Sequence, residues 1–345
     1  MTAGEIALRS ESRFQTMTEI KMMSRAGHHP HREERRMEKI AVIGGGLIGR
    51  AWSIVFARAG FAVSLYDQSQ EAASNALGFI AARLPELRAH GLLADAPDEV
   101  MARISLAPTL EAALDGAVYV QENGPERVEA KQRLYTAMDA IAAPSCILAS
   151  STSGIPASAF TGELQGRARC LVAHPVNPPY LVPVVEICPA PWTSEATVAA
   201  TRALMLRAGM VPATIKREVK GFVLNRLQVA LVSEAFRLVA DGVVSPEDLD
   251  ATIKHGLGLR WAFMGPFETI DLNAPEGVAD YCARYGGLFN EVQAEQTPID
   301  LTPELAADVN DAMREIYPVE DIAGRQEWRD RRLMALLAHK AGQPE

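Results

Sequence analysis

A doubly wound α/β domain followed by an all-α domain is the fold class this chain predicts, and three observations predict it. A short apolar run, Lys39 to Ile43, leads straight into a glycine-rich turn. Apolar, strand-length runs then alternate with segments of helical periodicity as far as residue 215. Beyond Gly221 only helical patterns remain. A chain of 345 residues, 48% hydrophobic and 22% charged, is long enough for two such domains. The reading divides it into a disordered extension at 1–37, the doubly wound domain at 38–216, the helical domain at 217–337 and a tail at 338–345.

Lys39 to Ile43 reads as a buried parallel strand, and Gly44, Gly46 and Gly49 after it stand in G-x-G-x-x-G spacing. Gly44 suits a tight turn, Gly46 leaves room for backbone to approach a pyrophosphate, and Gly49 lets a helix pack on the strand. Leu47 to Ala59 has the periodicity of that helix. Its first turn, with Gly46, Leu47, Ile48 and Gly49, presents backbone N–H groups to negative charge. Phe61 to Tyr66 is a second strand and ends at Asp67, 18 positions beyond Gly49, where a carboxylate holds the adenosine ribose and repels an extra phosphate. The complete βαβ unit therefore predicts a Rossmann-type domain that takes NAD in preference to NADP.

The alternation continues. Glu71 to about His90 reads as a helix, Ile104 to Leu106 and Val118 to Gln121 as strands, Arg127 to Ile141 as a helix, and Cys146 to Ser150 as a strand. Cys170 to Ala173 and Val184 to Ile187 are short strands on either side of the proline-rich turn Pro175–Tyr180; Ser194 to Ala208 is a helix and Val211 to Ile215 the last strand. Phe222 to Asp241 is apolar enough to predict a helix buried on several sides, against the other domain or a second subunit. Ser245-Pro246 opens another helix as N-cap and first helical residue, and helical segments recur to about Leu337.

A net charge of −9 argues against nucleic acid or an anionic membrane as partner, and no apolar run reaches the length of a membrane span. Cys146, Cys170, Cys188 and Cys282 show no C-x-x-C pair, so neither a metal site nor a disulfide framework is expected, and a cytoplasmic, reducing location is. Residues 1–37 are polar and unperiodic. Their glutamates argue against a transit peptide, the lack of an apolar core argues against a secretory signal, and the cluster His28, His29, His31 reads as a solvated tail. Met37, two residues before the first strand, is an alternative start of translation.

Several polar residues sit where surface placement does not explain them. His174 ends a strand before a turn stiffened by Pro175, Pro178 and Pro179, at the carboxyl edge of the sheet where ligands of open α/β folds bind. Glu186 closes the apolar run from Val182 and needs a partner to tolerate burial; His174 is the natural one. A His–Glu pair holds one imidazole tautomer and suits a base that removes a proton from an alcohol. Ser150 to Ser153 close another strand at the same edge, and Asn225 lies early in the apolar helix. Both groups suit hydrogen bonds to a carbinol or carbonyl oxygen. Equally, hydroxyls after a strand suit a turn or cap, and a lone Asn suits a satisfied core position.

At these residues the chain resembles the 3-hydroxyacyl-CoA dehydrogenase family, and within it the branch that contains lambda-crystallin, L-gulonate 3-dehydrogenase. The resemblance rests on GGGLIGRAW at the glycine turn, SSTSG at 150–154, VAHPVNPPYLVPVVEI at 172–187, GFVLNRLQ at 221–228 and GLGLRWAFMGPFET at 256–269. It implies His174 as catalytic base and Glu186 as its partner. It places Ser153, Asn177 and Asn225 around substrate and nicotinamide, and Glu126 and Lys131 against NAD. It also implies a homodimer paired through the helical domain, and transfer of hydride from substrate C3 to the nicotinamide.

Two departures from the acyl-CoA branch bear on the substrate. The segment 75–93, where those enzymes place lysines against CoA, has no lysine here and offers only Arg83 and Arg88. Arg260, with Trp261 and Phe263 beside it, stands at the expected substrate end. An arginine fork grips a carboxylate, which suits a small free 3-hydroxy acid. L-gulonate is favoured, L-carnitine would use the aromatic pair around its ammonium, and a structural salt bridge is the competing use of Arg260. Acyl-CoA oxidation and a non-catalytic, crystallin-like NAD-binding protein complete the alternatives.

Overall fold

The computed structural model describes residues 37–344. The expectations of a disordered extension, a solvated histidine cluster and a start at Met37 concern residues that lie, apart from Met37 itself, outside the described ones.

The α/β part is one eight-stranded sheet in the order β3-β2-β1-β4-β5-β6-β7-β8. Its strands are β1 (Lys39–Ile43), β2 (Ala62–Tyr66), β3 (Ile104–Leu106), β4 (Ala117–Glu122), β5 (Ile147–Ser150), β6 (Cys170–Pro175), β7 (Val184–Pro189) and β8 (Val211–Thr214). Helices α1 (Leu47–Arg58), α2 (Gln70–Ala89), α3 (Val128–Ile141) and α4 (Glu195–Arg207) connect them, with shorter turns of helix between. All pairings are parallel except β6 with β7. Sheet faces covered on both sides explain why the strands read as near-continuous apolar runs: Ile40, Ala41 and Val42 are fully buried, as are Leu148 and Ala149. One cluster packs α1 and α2 on one side of the sheet through Trp52, Phe56, Ile80 and Leu84, and a second packs α3 on the other through Tyr135 and Met138.

The chain order reverses at β1, which lies between β2 and β4. An open α/β sheet forms its ligand crevice at such a switch point, outside the carboxyl ends of the strands. Because β1, β4, β5 and β6 run parallel side by side, their carboxyl ends line up along one edge, which carries the glycine turn, Asn123 and Ser151 after the first three and His174 near the end of β6 itself.

From residue 224 every labelled element is helical: α5 (Leu224–Ala240), α6 (Pro246–Thr252), α7 (Gly258–Trp261), α8 (Pro266–Asp271), α9 (Val278–Glu295), α10 (Pro303–Ile316) and α11 (Ile322–Ala341). Ser245 caps α6 by accepting the Asp248 N–H at 3.1 Å. A π-helical turn, Ile253–Leu257, joins α6 to α7; such turns are frequent at functional sites.

Three expectations need correction. The apolar helix does not begin at Phe222, because Gly221 and Phe222 both have left-handed backbone, φ 76° and 50°. Nor is it buried on several sides: no residue of α5 is buried in this chain, and Leu227 and Val229 are 63% and 61% exposed. Its apolar surface exceeds what neighbouring helices of the same chain cover. The terminal polar stretch, finally, is not all tail, since it continues helix α11 to Ala341.

Candidate active site

The glycine turn is built as its spacing predicts. Gly44 has φ 96°, and a Cβ there would meet the Asn123 carbonyl oxygen at 2.8 Å. At Gly49 a Cβ would stand 1.7 Å from the Gly44 carbonyl oxygen, so only glycine lets α1 approach so closely. A Cβ on Gly46, at the exposed N-cap of α1, would meet nothing within 4 Å. Asp67 braces this turn: one carboxylate oxygen accepts the Gly45 N–H at 2.7 Å, the other the Ser69 N–H at 2.8 Å. Gly44, Gly46 and Asp67 line a cleft of about 700 Å³ together with Tyr66, Asn123 and Leu134. Leu47 is exposed and Ile48 half-buried at the start of α1. An acid after β2, open space over Gly46 and a helix N-terminus facing the cleft fit a dinucleotide.

Antiparallel pairing of β6 with β7 sets Glu186 directly opposite His174. Side chains so paired lie within reach of each other, and His174 Nδ1 is 2.8 Å from Glu186 Oε2, both groups buried. The second carboxylate oxygen accepts the N–H groups of Val223 and Leu224, each at 2.9 Å, at the start of α5. Burial pushes the Glu186 carboxyl up, but the bonds from His174 and from these two amides outweigh it and hold the group below its ordinary value. With its folded value depressed, the stability Glu186 adds is complete above the ordinary carboxylate value of 4.5 and is lost as pH falls through the folded value. Because the carboxylate can only accept, Nδ1 carries a hydrogen, which leaves Nε2 as the nitrogen turned away from Glu186.

Phe222, a residue the sequence reading took only as helix, makes this arrangement. It is fully buried, and its ring centroid lies 5.4 Å from that of His174. A bulky residue at positive φ is an outlier that persists only where its surroundings demand it. Here the left-handed pair Gly221–Phe222 turns the chain so that the next two amides point at Glu186.

Asn225 Nδ2 donates to the Ser153 carbonyl at 2.6 Å, so α5 also grips the loop after β5. From the other side, Glu126 Oε1 accepts Thr152 Oγ1 at 2.6 Å, Ser153 N–H at 3.0 Å and Gly154 N–H at 3.1 Å. Ser153 is exposed, and its hydroxyl has no hydrogen-bond partner among the described residues. Asn177 is likewise exposed in the turn after His174. Lys131 stands apart from the open cleft. It is 1% exposed, 2.9 Å from Glu122 Oε2, 3.3 Å from Ser150 Oγ and 3.9 Å from Glu126 Oε2. The structure thus places it behind the Glu126 carboxylate. Glu122, which the sequence reading missed, is fully buried and also accepts the Gly124 N–H and the Ser150 hydroxyl, both at 2.6 Å.

A buried polar chain links the two ends of the edge. Gln121 Nε2 donates to Ser151 Oγ at 2.7 Å and to the Ala173 carbonyl at 3.1 Å, and Ser151 Oγ donates to Asn123 Oδ1 at 2.7 Å. Residues that touch the glycine turn and the residue before His174 are therefore tied by three side chains. Arg260, half-buried on α7, has neither ion pair nor hydrogen bond from its guanidinium among the described residues, and Trp261 is 39% exposed beside it. No group of His, Cys, Asp and Glu among the described residues forms a metal site, and no helix among them is long and apolar enough to cross a membrane.

Comparison with known proteins agrees with this edge. Residues 39–219 match the model of the 3-hydroxyacyl-CoA dehydrogenase NAD binding domain, and residues 221–310 that of the 3-hydroxyacyl-CoA dehydrogenase C-terminal domain. The chain is 42% identical over 308 residues to the lambda-crystallin homolog of Homo sapiens, covering 88% of this chain and 96% of the relative. It is 39% identical over 241 residues to the L-carnitine dehydrogenase of Streptomyces griseus, covering 70% and 71%. Among solved structures, a 5-formyl-3-hydroxy-2-methylpyridine 4-carboxylic acid 5-dehydrogenase, described as an NAD+ dependent dismutase, superposes with a TM-score of 0.78 at 28% identity, covering 89% of this chain and all of that one. The chain binds NAD and belongs to the 3-hydroxyacyl-CoA dehydrogenase family, as an NAD-dependent oxidoreductase of CH–OH groups.

Proposed function

We propose that the protein oxidises the 3-hydroxyl of a small free 3-hydroxy acid, L-gulonate foremost, to the 3-oxo acid. The observation that carries the chemistry is the His174–Glu186 pair, buried on the sheet edge that the dinucleotide cleft opens onto. His174 stands three strand spacings, about 14 Å, from the glycine turn, a distance that a dinucleotide extended along the edge bridges. His174 Nε2 takes the proton of the substrate hydroxyl as the C3–O bond becomes a carbonyl. Glu186, anchored by two amides, holds the imidazole in place and stabilises the charge it gains. A bound NAD would supply the acceptor for the hydride that leaves C3. The Ser153 hydroxyl and the Asn225 amide orient the carbinol oxygen, and Glu126, with Lys131 behind it, holds the Ser153 loop against the cofactor. Pre-positioning of this kind accounts for much of the rate.

The reading as a free acid rests on where the cations are spent. On α2, Arg83 pairs with Glu86, and Arg88 donates to the Leu93 carbonyl at 2.8 Å and the Ala94 carbonyl at 2.5 Å, so neither stands ready for the phosphates of a CoA. Arg260 is uncommitted and suits a carboxylate fork, and Asn177 is assigned with it to the acid substrate. The exposed Trp261 and Phe263 favour L-carnitine as a second reading, since an aromatic pair attracts a quaternary ammonium. NADH formation with L-gulonate, L-carnitine and 3-hydroxybutyryl-CoA side by side tests the assignment. L-gulonate is expected to give the highest kcat/KM, and Arg260→Leu to raise KM for it by about ten- to a hundredfold, the loss of a charged hydrogen-bonding partner. Preference for the CoA ester, or an unaltered KM in the variant, overturns the reading.

The working form is a homodimer joined through the helical part. Helices α5, α9 and α10 bury no residue within the chain, and Leu288 and Phe289 on α9 are 58% and 49% exposed. Apolar surface so extensive marks an association face. Light scattering is expected to return about twice the chain mass of 37.3 kDa; a monomer at micromolar concentration would refute it.

A further inference from the structure

Helix α11 leaves the helical part of the chain and lies back on the α/β domain. Met334 is fully buried in the same cluster as Trp52, Ile80 and Leu84, and Leu333 and Leu337 pack against it. Asp330, 6% exposed, accepts the Tyr180 hydroxyl at 3.0 Å on one carboxylate oxygen, while Arg329 donates to the other at 2.9 and 2.7 Å. Tyr180 is itself buried, and its carbonyl accepts from Arg58 at 2.8 Å. It closes the proline turn that begins after His174 and carries Asn177, a turn held by bonds from Leu181 and Val182 N–H to the Pro178 carbonyl, both at 2.9 Å. Ten residues further along α11, about 15 Å of helix rise, Lys340 Nζ donates to the Ala262 carbonyl at 2.6 Å. Ala262 follows α7 directly, two positions beyond Arg260.

One helix therefore holds the Asn177 turn at one point and the Arg260 segment at another. A buried carboxylate is an expensive way to fasten a helix that apolar packing already docks, but a hydrogen bond to a single hydroxyl fixes direction and distance as packing does not. We propose that α11 is a positioning element of the substrate pocket, in which Asp330 and Lys340 set the separation between the Asn177 turn and Arg260. The residues act through Tyr180 and the Ala262 carbonyl and touch no reacting atom. The proposal rests on the assignment of Asn177 and Arg260 to the acid substrate.

The test uses the full-length enzyme with NAD and the acid substrate that the panel selects. Tyr180→Phe removes the donor to Asp330, Lys340→Met removes the donor to Ala262, and the double variant removes both. Each single variant is expected to raise KM for the acid about fivefold, the equivalent of one hydrogen bond, and the double variant by more, with kcat and the KM for NAD within about twofold of the parent. Asp330→Asn, which keeps an acceptor for the Tyr180 hydroxyl, is expected to hold KM near the parent value, and Asp330→Ala to behave as Tyr180→Phe. Lys340 is exposed, so its variant keeps the fold. A fall in apparent kcat at constant KM would mean fewer intact molecules, and so a structural role only, which overturns the proposal. Unchanged KM in the double variant, with KM raised in Arg260→Leu, also overturns it and leaves the substrate reading standing. Unchanged KM in Arg260→Leu removes the substrate reading and the proposal with it.

Discussion

Replacing His174 by Ala is expected to lower kcat by about 10²- to 10⁴-fold, the usual contribution of a positioned base, while the protein still folds and still binds NADH. The fold survives because Glu186 keeps the Val223 and Leu224 amides when the imidazole is gone, so its buried carboxylate is not left without partners. NADH binding is expected to survive because the glycine turn and Asp67 line the cleft proposed for the cofactor through contacts that do not include His174. Stopped-flow and steady-state rates, with NADH titration by fluorescence, check both parts. Turnover at the parent rate would remove His174 from the chemistry, and a loss of NADH binding would show that the residue shapes the cleft.

The second large effect is one of stability. Lys131→Met leaves Glu122 fully buried without its counter-charge and with only the Ser150 hydroxyl and the Gly124 amide for partners. Breaking a buried ion pair from one side typically costs about 3–5 kcal/mol, because the remaining charge keeps its desolvation penalty without its counter-charge. The combined variant Glu122→Gln with Lys131→Met is expected to recover most of that loss, since it buries two neutral groups. Urea unfolding of the three proteins measures it. Equal midpoints for the parent and Lys131→Met would mean that water or a rearranged side chain compensates Glu122. The Glu122 carbonyl also accepts the Ser151 N–H at 2.8 Å, so loosening this pair is expected to weaken the Ser153 loop as well.

The parts of this site that were legible in the sequence are those encoded by neighbours in the chain. The turn from Gly44 to Gly49 and the acid at Asp67 follow from local periodicity plus spacing, and both stand where that spacing puts them. His174 and Glu186 were each legible as a polar residue in an apolar strand. Their pairing was read from the need of a carboxylate in an apolar run for a partner; the register of β6 against β7 that sets them opposite each other was not, because alternation of apolar residues does not specify it when both faces are buried. Phe222 was illegible for a different reason: a left-handed conformation is signalled by Gly or Asn, and a phenylalanine held there by its surroundings carries no such mark. Glu122 was passed over because an acid at the end of an apolar strand gives no hint of its partner nine residues on. The breadth of the apolar surface on α5 was legible, but whether the same chain covers it depends on how its neighbours pack.

The bend at Gly221–Phe222 gives the border between the halves of the chain a chemical duty. Two amides from the helical half hold the acid that bonds a histidine of the nucleotide half, so neither half carries the anchored His–Glu pair alone. Chimaeras that exchange helical halves among relatives would need to carry the bend across with them. A graft joined downstream of Leu224 keeps the anchor, whereas one joined at residue 216 leaves the His–Glu geometry dependent on how faithfully the donor rebuilds two N–H directions.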